Sequence, residues 1–358
     1  METGRRYPTF AYFFLIAFLF LLLFGNAQSA MQGVRQGLML CTKTLIPALF
    51  PFLVLSELFV CSSIGERLGR VFCRPVSRLL GISEAAASAI LLGVLCGQPI
   101  AAASAASYCN TGEISRKELH RLMLFANVPG GGFLINAVGC ILLGNKAAGI
   151  WLFFSTLFSS LIVGICLRIF APKNIIYEKK PPNGMRNVTF LTDLTGSIKR
   201  AFFTLLQICA FLLFFCAIGY AVCDILEAYN TPPLLRVFVL GTLEMTSGVT
   251  QAAVLLSPET AFRCAAFLSG FAGLSVCLQI FSIAEQQHPP LLPYLLSKLV
   301  QGILTLCLCE IYLRVFSPDF SPMQSTPAFS AATIPIPWIT AFLLCVLFTQ
   351  RIKTKKGT

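Results

Sequence analysis

Two apolar runs between Glu84 and Gly144 are each interrupted by residues that a lipid-exposed helix does not tolerate. The first, 84–108, is broken by Cys96-Gly97-Gln98-Pro99, and the second, 122–143, by Ala126-Asn127-Val128-Pro129-Gly130-Gly131-Gly132. Hydrocarbon offers no partner for opened N–H and C=O groups, so such breaks persist only where protein encloses them or they line a watery cavity. The stretch therefore reads as half of a binding site near the bilayer midplane.

The whole chain supports a membrane setting. Of its 358 residues 56% are hydrophobic, 32 are Phe and only 12% are charged, and apolar runs of membrane-crossing length recur along it. The net charge of +12 sits in short loops and tails between those runs. Positive-inside topology accounts for that pattern, so no nucleic-acid partner is expected. The 15 Cys lie almost all inside apolar runs, where they act as small hydrophobes. Cys307-Leu308-Cys309 lacks zinc-site spacing and companion ligands, and neither metal nor cofactor is expected. His120 lies in a charged turn, His288 in a Pro-flanked loop, and no phosphate-cradling Gly-Lys-Ser/Thr loop occurs, so the chain does not read as an enzyme.

Read in order, residues 1–37 hold Arg5, Arg6 and an apolar run from Phe10 to Phe24, better read as a retained span than as a cleaved signal. A span at 38–60 contains Pro47, Pro51 and Glu57. A basic loop at 61–83, the broken run 84–108, the broken span 122–143 and a span at 148–170 complete a first repeat, 38–170. Residues 171–200, rich in Lys, Pro and Gly, read as a cytoplasmic linker. The second repeat, 201–315, follows the same plan: a span at 201–224, a run at 234–256 broken at Glu244-Met245-Thr246-Ser247-Gly248, a span at 263–284 broken at Ser269-Gly270-Phe271-Ala272-Gly273-Leu274-Ser275, and a span at 291–313. A last span at 334–350 and a basic tail close the chain, 316–358.

Charge decides whether 84–108 and 234–256 cross the membrane. If both turn back, 19 Lys and Arg fall on the side of the two termini and only Arg35, Lys146, Arg236, Arg263 and Arg314 opposite; if both cross, the bias vanishes. The positive-inside rule favours re-entrant hairpins with cytoplasmic termini. Each arm of 84–108, about a dozen residues at roughly 1.5 Å per residue, reaches about halfway through a core of about 30 Å. The expected fold is an all-α polytopic membrane protein of about eight transmembrane helices plus two re-entrant helical hairpins in an inverted repeat, the plan of many secondary transporters.

Four blocks carry a family resemblance: Cys96 to Tyr108, Phe125 to Gly139, Leu243 to Gly248, and Ser269 to Ile283. In order and spacing they resemble the YlbJ/SpoVV-like sporulation integral membrane proteins, which carry nucleoside-recognition Gate domains. Gly270 to Gln279 is also similar to the second-hairpin region of concentrative nucleoside transporters, and Gly97-Gln98-Pro99 to their first-hairpin tip. At that tip Gln98 and Ile100-Ala101 replace the family's usual aromatic and second glycine. The resemblance implies transport of dipicolinic acid across the outer forespore membrane. A nucleoside or ion carrier of the Gate type, or a non-transporting sporulation scaffold, are the alternatives, and the cell membrane is the alternative location.

The implied substrate is a planar aromatic dicarboxylate, with membrane lipid and a second copy of the chain as further partners. A half-helix starting after Pro129, Gly130, Gly131 and Gly132 offers N–H groups and a positive dipole end to a carboxylate; the competing reading is that small residues permit close helix packing. Gln98, Pro99, Asn127 and Asn136 in the first repeat, and Thr246, Ser247, Gly270, Gly273, Ser275 and Gln279 in the second, are the binding candidates. Their plainer role is to satisfy backbone opened at the breaks. Phe125, Phe133 and Phe271 are candidates to stack on an aromatic ring. Glu244 and Glu57 are the coupling or gating candidates, because an intramembrane carboxylate is expensive unless used. Glu57 and Lys43 also lie close enough to span ends to reach an interface.

Overall fold

A computed structural model describes residues 9–61, 74–169 and 190–320, with no strand among the described residues. Helices α1 (Thr9–Gly25) and α2 (Ala27–Leu40) meet at a 91° bend, and α2 runs through a π turn, Cys41–Leu45, into α3 (Ile46–Cys61). After α4 (Arg74–Leu80) come α5 (Glu84–Cys96), α6 (Ile100–Asn110) and α7 (Arg116–Phe125). A π-helix, Gly132–Leu142, and α8 (Lys146–Ile169) complete the first half. The second half comprises α9 (Phe190–Ala228), α10 (Pro233–Leu243), α11 (Met245–Leu255), α12 (Pro258–Phe271), α13 (Gly273–Ala284) and α14 (Leu291–Phe316).

All the interruptions expected from sequence occur as helix ends. Gly97 to Pro99 separates α5 from α6, Ala126 to Gly131 separates α7 from the π-helix, Glu244 separates α10 from α11, and Ala272 separates α12 from α13. Local chemistry sets the starts: Ser83 caps α5 by accepting from the Ala86 amide at 3.1 Å, and Ser115 caps α7 through the Glu118 amide at 3.2 Å. The chain doubles back at Gly97, because Ser88 bonds Tyr108 at 3.1 Å and Gly93 abuts Ala101.

The boundaries differ in two places. The helix expected at 201–224 begins at Phe190, inside the stretch read as linker, and the second span is the end of a helical path that starts at Ala27. Among the described residues four helices are long and apolar enough to cross a membrane: Lys146–Ile169, Phe190–Ala228, Pro258–Ala284 across its break, and Leu291–Phe316. The number rises to six if each of two bent pairs is one span. The break explains why the expected span at 122–143 is not among them, since α7 and the π-helix are each too short to cross alone. The expected span at 334–350, the linker residues 171–189 and most of the loop 61–83 lie outside the described residues.

The helices are arranged inside out relative to a soluble protein. On α8 the buried face carries Gly149, Ser155, Thr156, Ser159, Ser160 and Gly164, while Phe154, Phe158, Ile162 and Ile165 are exposed. Small residues let helices approach and hydroxyls bond across them, as where Ser159 meets Thr305 at 2.8 Å. This is a chain whose outer surface suits lipid.

Two cores interlock the halves. One packs Ile90, Ile100, Ala101, Tyr108, Leu119 and Phe125 of the first half with Ala272, Val276 and Ile280 of the second. The other packs Val237, Met245, Val249, Phe262 and Leu268 of the second half with Leu134, Val138 and Leu152 of the first. Each doubled-back helix pair thus shares a core with the later half of the broken helix in the other half of the chain.

Candidate functional site

In each half of the chain a pair of helices that doubles back docks on a helix break. Gly97, at φ +87°, lies against Gly130: a Cβ there would sit 2.7 Å from the Gly130 nitrogen. Only glycine supplies both the backbone conformation and the space. The Gln98 amide then donates to the Val128 carbonyl at 2.9 Å. In the second half Gly273, at φ +78°, lies against Gly241 and Met245, where a Cβ would be 3.2 Å from the Gly241 oxygen and the Met245 nitrogen.

The first break is closed by side chains from the last helix. Pro129 prevents α7 from continuing and leaves its final carbonyls without intrahelical partners. Ser297 and Gln301 of α14 each donate to the Leu124 carbonyl at 2.7 Å, Ser160 donates to Phe125 at 2.7 Å, and Lys298 Nζ donates to the Asn127 carbonyl at 2.6 Å. Lys298 also donates to Gln301 Oε1 at 3.0 Å. Lys298 and Asn127 are both 1% exposed. A charged side chain centred in a bilayer costs about 3 kcal/mol or more unless its surroundings compensate. Here the compensation comes from the negative end of α7.

The three glycines that follow differ in role. A Cβ on Gly131 would make ordinary contact with the Phe153 ring at 3.5 Å, and one on Gly132 would meet nothing within 4 Å. Helix packing therefore does not require a glycine at Gly132. The amides of Gly130, Gly131 and Gly132 donate to no backbone carbonyl among the described residues, as expected at the start of a helix. Asn127 Nδ2 donates to the Met123 carbonyl at 3.2 Å, whereas Asn127 Oδ1 and Gln98 Oε1 are buried without partners.

At the second hairpin the chain brings its own anion. Glu244 is extended, 1% exposed, and its carboxylate accepts from the Thr246 and Ser247 amides at 3.1 and 2.6 Å. It thus caps α11 and occupies the positive helix end that an external carboxylate would seek. Ser247 Oγ lies 3.3 Å from Cys216 Sγ. Ser275 and Gln279 bond each other at 3.2 Å on one face of α13.

The remaining candidates fall elsewhere. Gly270 is a packing position: a Cβ would lie 2.6 Å from the Gln301 carbonyl of α14. Phe125 is fully buried, Phe133 packs at the edge of the second core, and Phe271 stacks on Phe267. Glu57 pairs with Arg200 at 2.7 Å. A cleft of about 360 Å³ lined by Glu259, Arg263, Glu310 and Asp319 includes none of the candidate residues, and Arg263 is paired there with Glu310. Among the described residues no group of His, Cys, Asp or Glu is placed to hold a metal ion.

Gln301 joins the two breaks. Its side chain reaches the carbonyl end of α7, while its backbone lies against Gly270 just before the second break. Lys298 and Gln301 were legible as polar residues inside the apolar run 291–313, and the expense of an intramembrane ammonium marks Lys298 as sharply as it marked Glu244.

The chain is similar to the sporulation integral membrane protein YlbJ of Bacillus subtilis (strain 168), 24% identical over 96% of this chain and 98% of that protein. The likeness to that sporulation membrane protein extends over nearly the whole of both chains. The match runs through both hairpins, both breaks and α14 together. No family model matches the sequence, and no solved structure matches the chain.

Proposed function

We propose that the chain is a secondary transporter of a small anionic aromatic metabolite, dipicolinic acid, moved across the outer forespore membrane during sporulation. The similarity to a sporulation membrane protein supports the setting. The observation that carries the transport reading is the paired construction of the breaks, with Gly97 on Gly130 in one repeat and Gly273 on Gly241 and Met245 in the other. Two hairpin tips closing two opened helices in opposite halves is an arrangement in which one set can move against the other around a fixed site. The full topology in this reading is eight spans and two re-entrant hairpins in an inverted repeat, with both termini cytoplasmic.

In this account the conformation described is occluded. Asn127, Glu244, Ser247, Ser275 and Gln279 are all buried, so substrate reaches them only when a tip lifts. The open start of the π-helix at Gly130, Gly131 and Gly132 takes a carboxylate, whereas Glu244 already fills the equivalent end of α11. The protein then binds and moves its substrate without a chemical step or a cofactor. Competition in proteoliposomes tests the substrate class: unlabelled dipicolinate should displace labelled dipicolinate, and nucleosides should not. Displacement by nucleosides alone would transfer the assignment to a nucleoside carrier.

A further inference from the structure

Resting on the transport reading, we propose that Lys298 is the residue that selects carboxylate substrates, with its ammonium at the first break serving as the counter-ion of the bound anion. Three observations carry this. First, Lys298 is 1% exposed, and among the described residues its bonds go only to neutral acceptors, the Asn127 carbonyl and Gln301 Oε1, with no carboxylate in ion-pairing range. An ammonium has three donors, so one N–H remains after these two bonds.

Second, capping alone does not call for a charge. The neighbouring carbonyls of Leu124 and Phe125 are satisfied by Ser297, Gln301 and Ser160, all neutral. An amide or hydroxyl in place of Lys298 would fill the Asn127 carbonyl with a far smaller desolvation penalty. The extra charge is explained by an anion that visits the site.

Third, other polar groups at the first break are incompletely used. Asn127 Oδ1 and Gln98 Oε1 are buried without a donor, and the amides of Gly130, Gly131 and Gly132 have no backbone acceptor. Oxygen and nitrogen of a side-chain amide exchange places by rotation. Turned over, Gln98 presents N–H groups to a carboxylate held by Lys298. Neutral nucleosides gain nothing from this charge, so the residue separates the two substrate classes.

The test is equilibrium binding to purified protein in nanodiscs, using labelled dipicolinate and its uncharged diamide, for wild type and for Lys298→Gln. Gln keeps an N–H donor on a side chain one bond shorter and removes the charge. Wild type should bind the diacid at least 100-fold more tightly than the diamide. Lys298→Gln should lose that preference to within about threefold while keeping its thermal midpoint, and Lys298→Arg should recover it. If wild type binds both ligands equally, or Lys298→Gln keeps the preference, the assignment of Lys298 is overturned. If wild type binds the diacid through Lys298 but proteoliposomes take none up, transport fails while the carboxylate site stands. Should Lys298→Gln not insert, the wild-type ratio and Lys298→Arg still decide.

Discussion

Gly97 and Gly130 meet backbone to backbone, and this contact fastens the first hairpin to the broken helix beside it. Gly97→Ala brings a Cβ to 2.7 Å from the Gly130 nitrogen at a residue with φ +87°. The backbone strain alone costs about 1 kcal/mol. The expected result is a lower thermal midpoint in detergent and at least a tenfold loss of dipicolinate uptake. Gly132→Ala, placed in open space, should leave the midpoint unchanged.

Ala272 holds a left-handed conformation, φ +72°, at the second break, where a glycine would be relaxed. Ala272→Gly should therefore stabilise the protein by about 1 kcal/mol. A rise in thermal midpoint checks this. A fall would mean that packing of the Ala272 methyl in the first core outweighs the strain.

Glu244 caps α11 with both carboxylate oxygens. Removing the cap with Glu244→Ala should lower stability by about 1–2 kcal/mol, and Glu244→Gln, which keeps one acceptor, by less. Uptake measured at a series of proton gradients separates this capping role from a coupling role. Glu244→Gln should respond to the gradient as wild type does if the carboxylate only caps.

The first broken helix crosses the membrane in the proposed topology, with Lys117 before it and Lys146 after it, both exposed. Single cysteines at these positions should be labelled by an impermeant thiol reagent from opposite sides, Lys117→Cys from the cytoplasm. Labelling of both from one side would turn α7 and the π-helix into a third re-entrant pair.

Much of this arrangement is written in local residue chemistry. Gly97-Gln98-Pro99, Pro129 followed by Gly130 to Gly132, and Gly270 to Gly273 each end a helix where the sequence says they must, because proline removes an N–H and glycine permits the turn. What local chemistry leaves open is partnership. That Glu57 meets Arg200, that Glu244 is consumed by its own helix, and that Gln301 stands between two breaks are long-range facts set by packing. Lys298 lay in plain view, but its partner, a carbonyl freed 171 residues earlier, emerges only from the fold. The start of α9 at Phe190 was hidden for a different reason: its first turns are polar enough to read as linker.

The central claim is that opened helices in two opposed halves form a carrier for an aromatic dicarboxylate. Uptake of labelled dipicolinate into proteoliposomes, with and without an imposed proton gradient, tests it most directly. Wild type should show saturable uptake, and Gly97→Ala should lose it by at least tenfold. Absence of uptake above protein-free vesicles under both conditions, from protein shown to be correctly inserted, would contradict it.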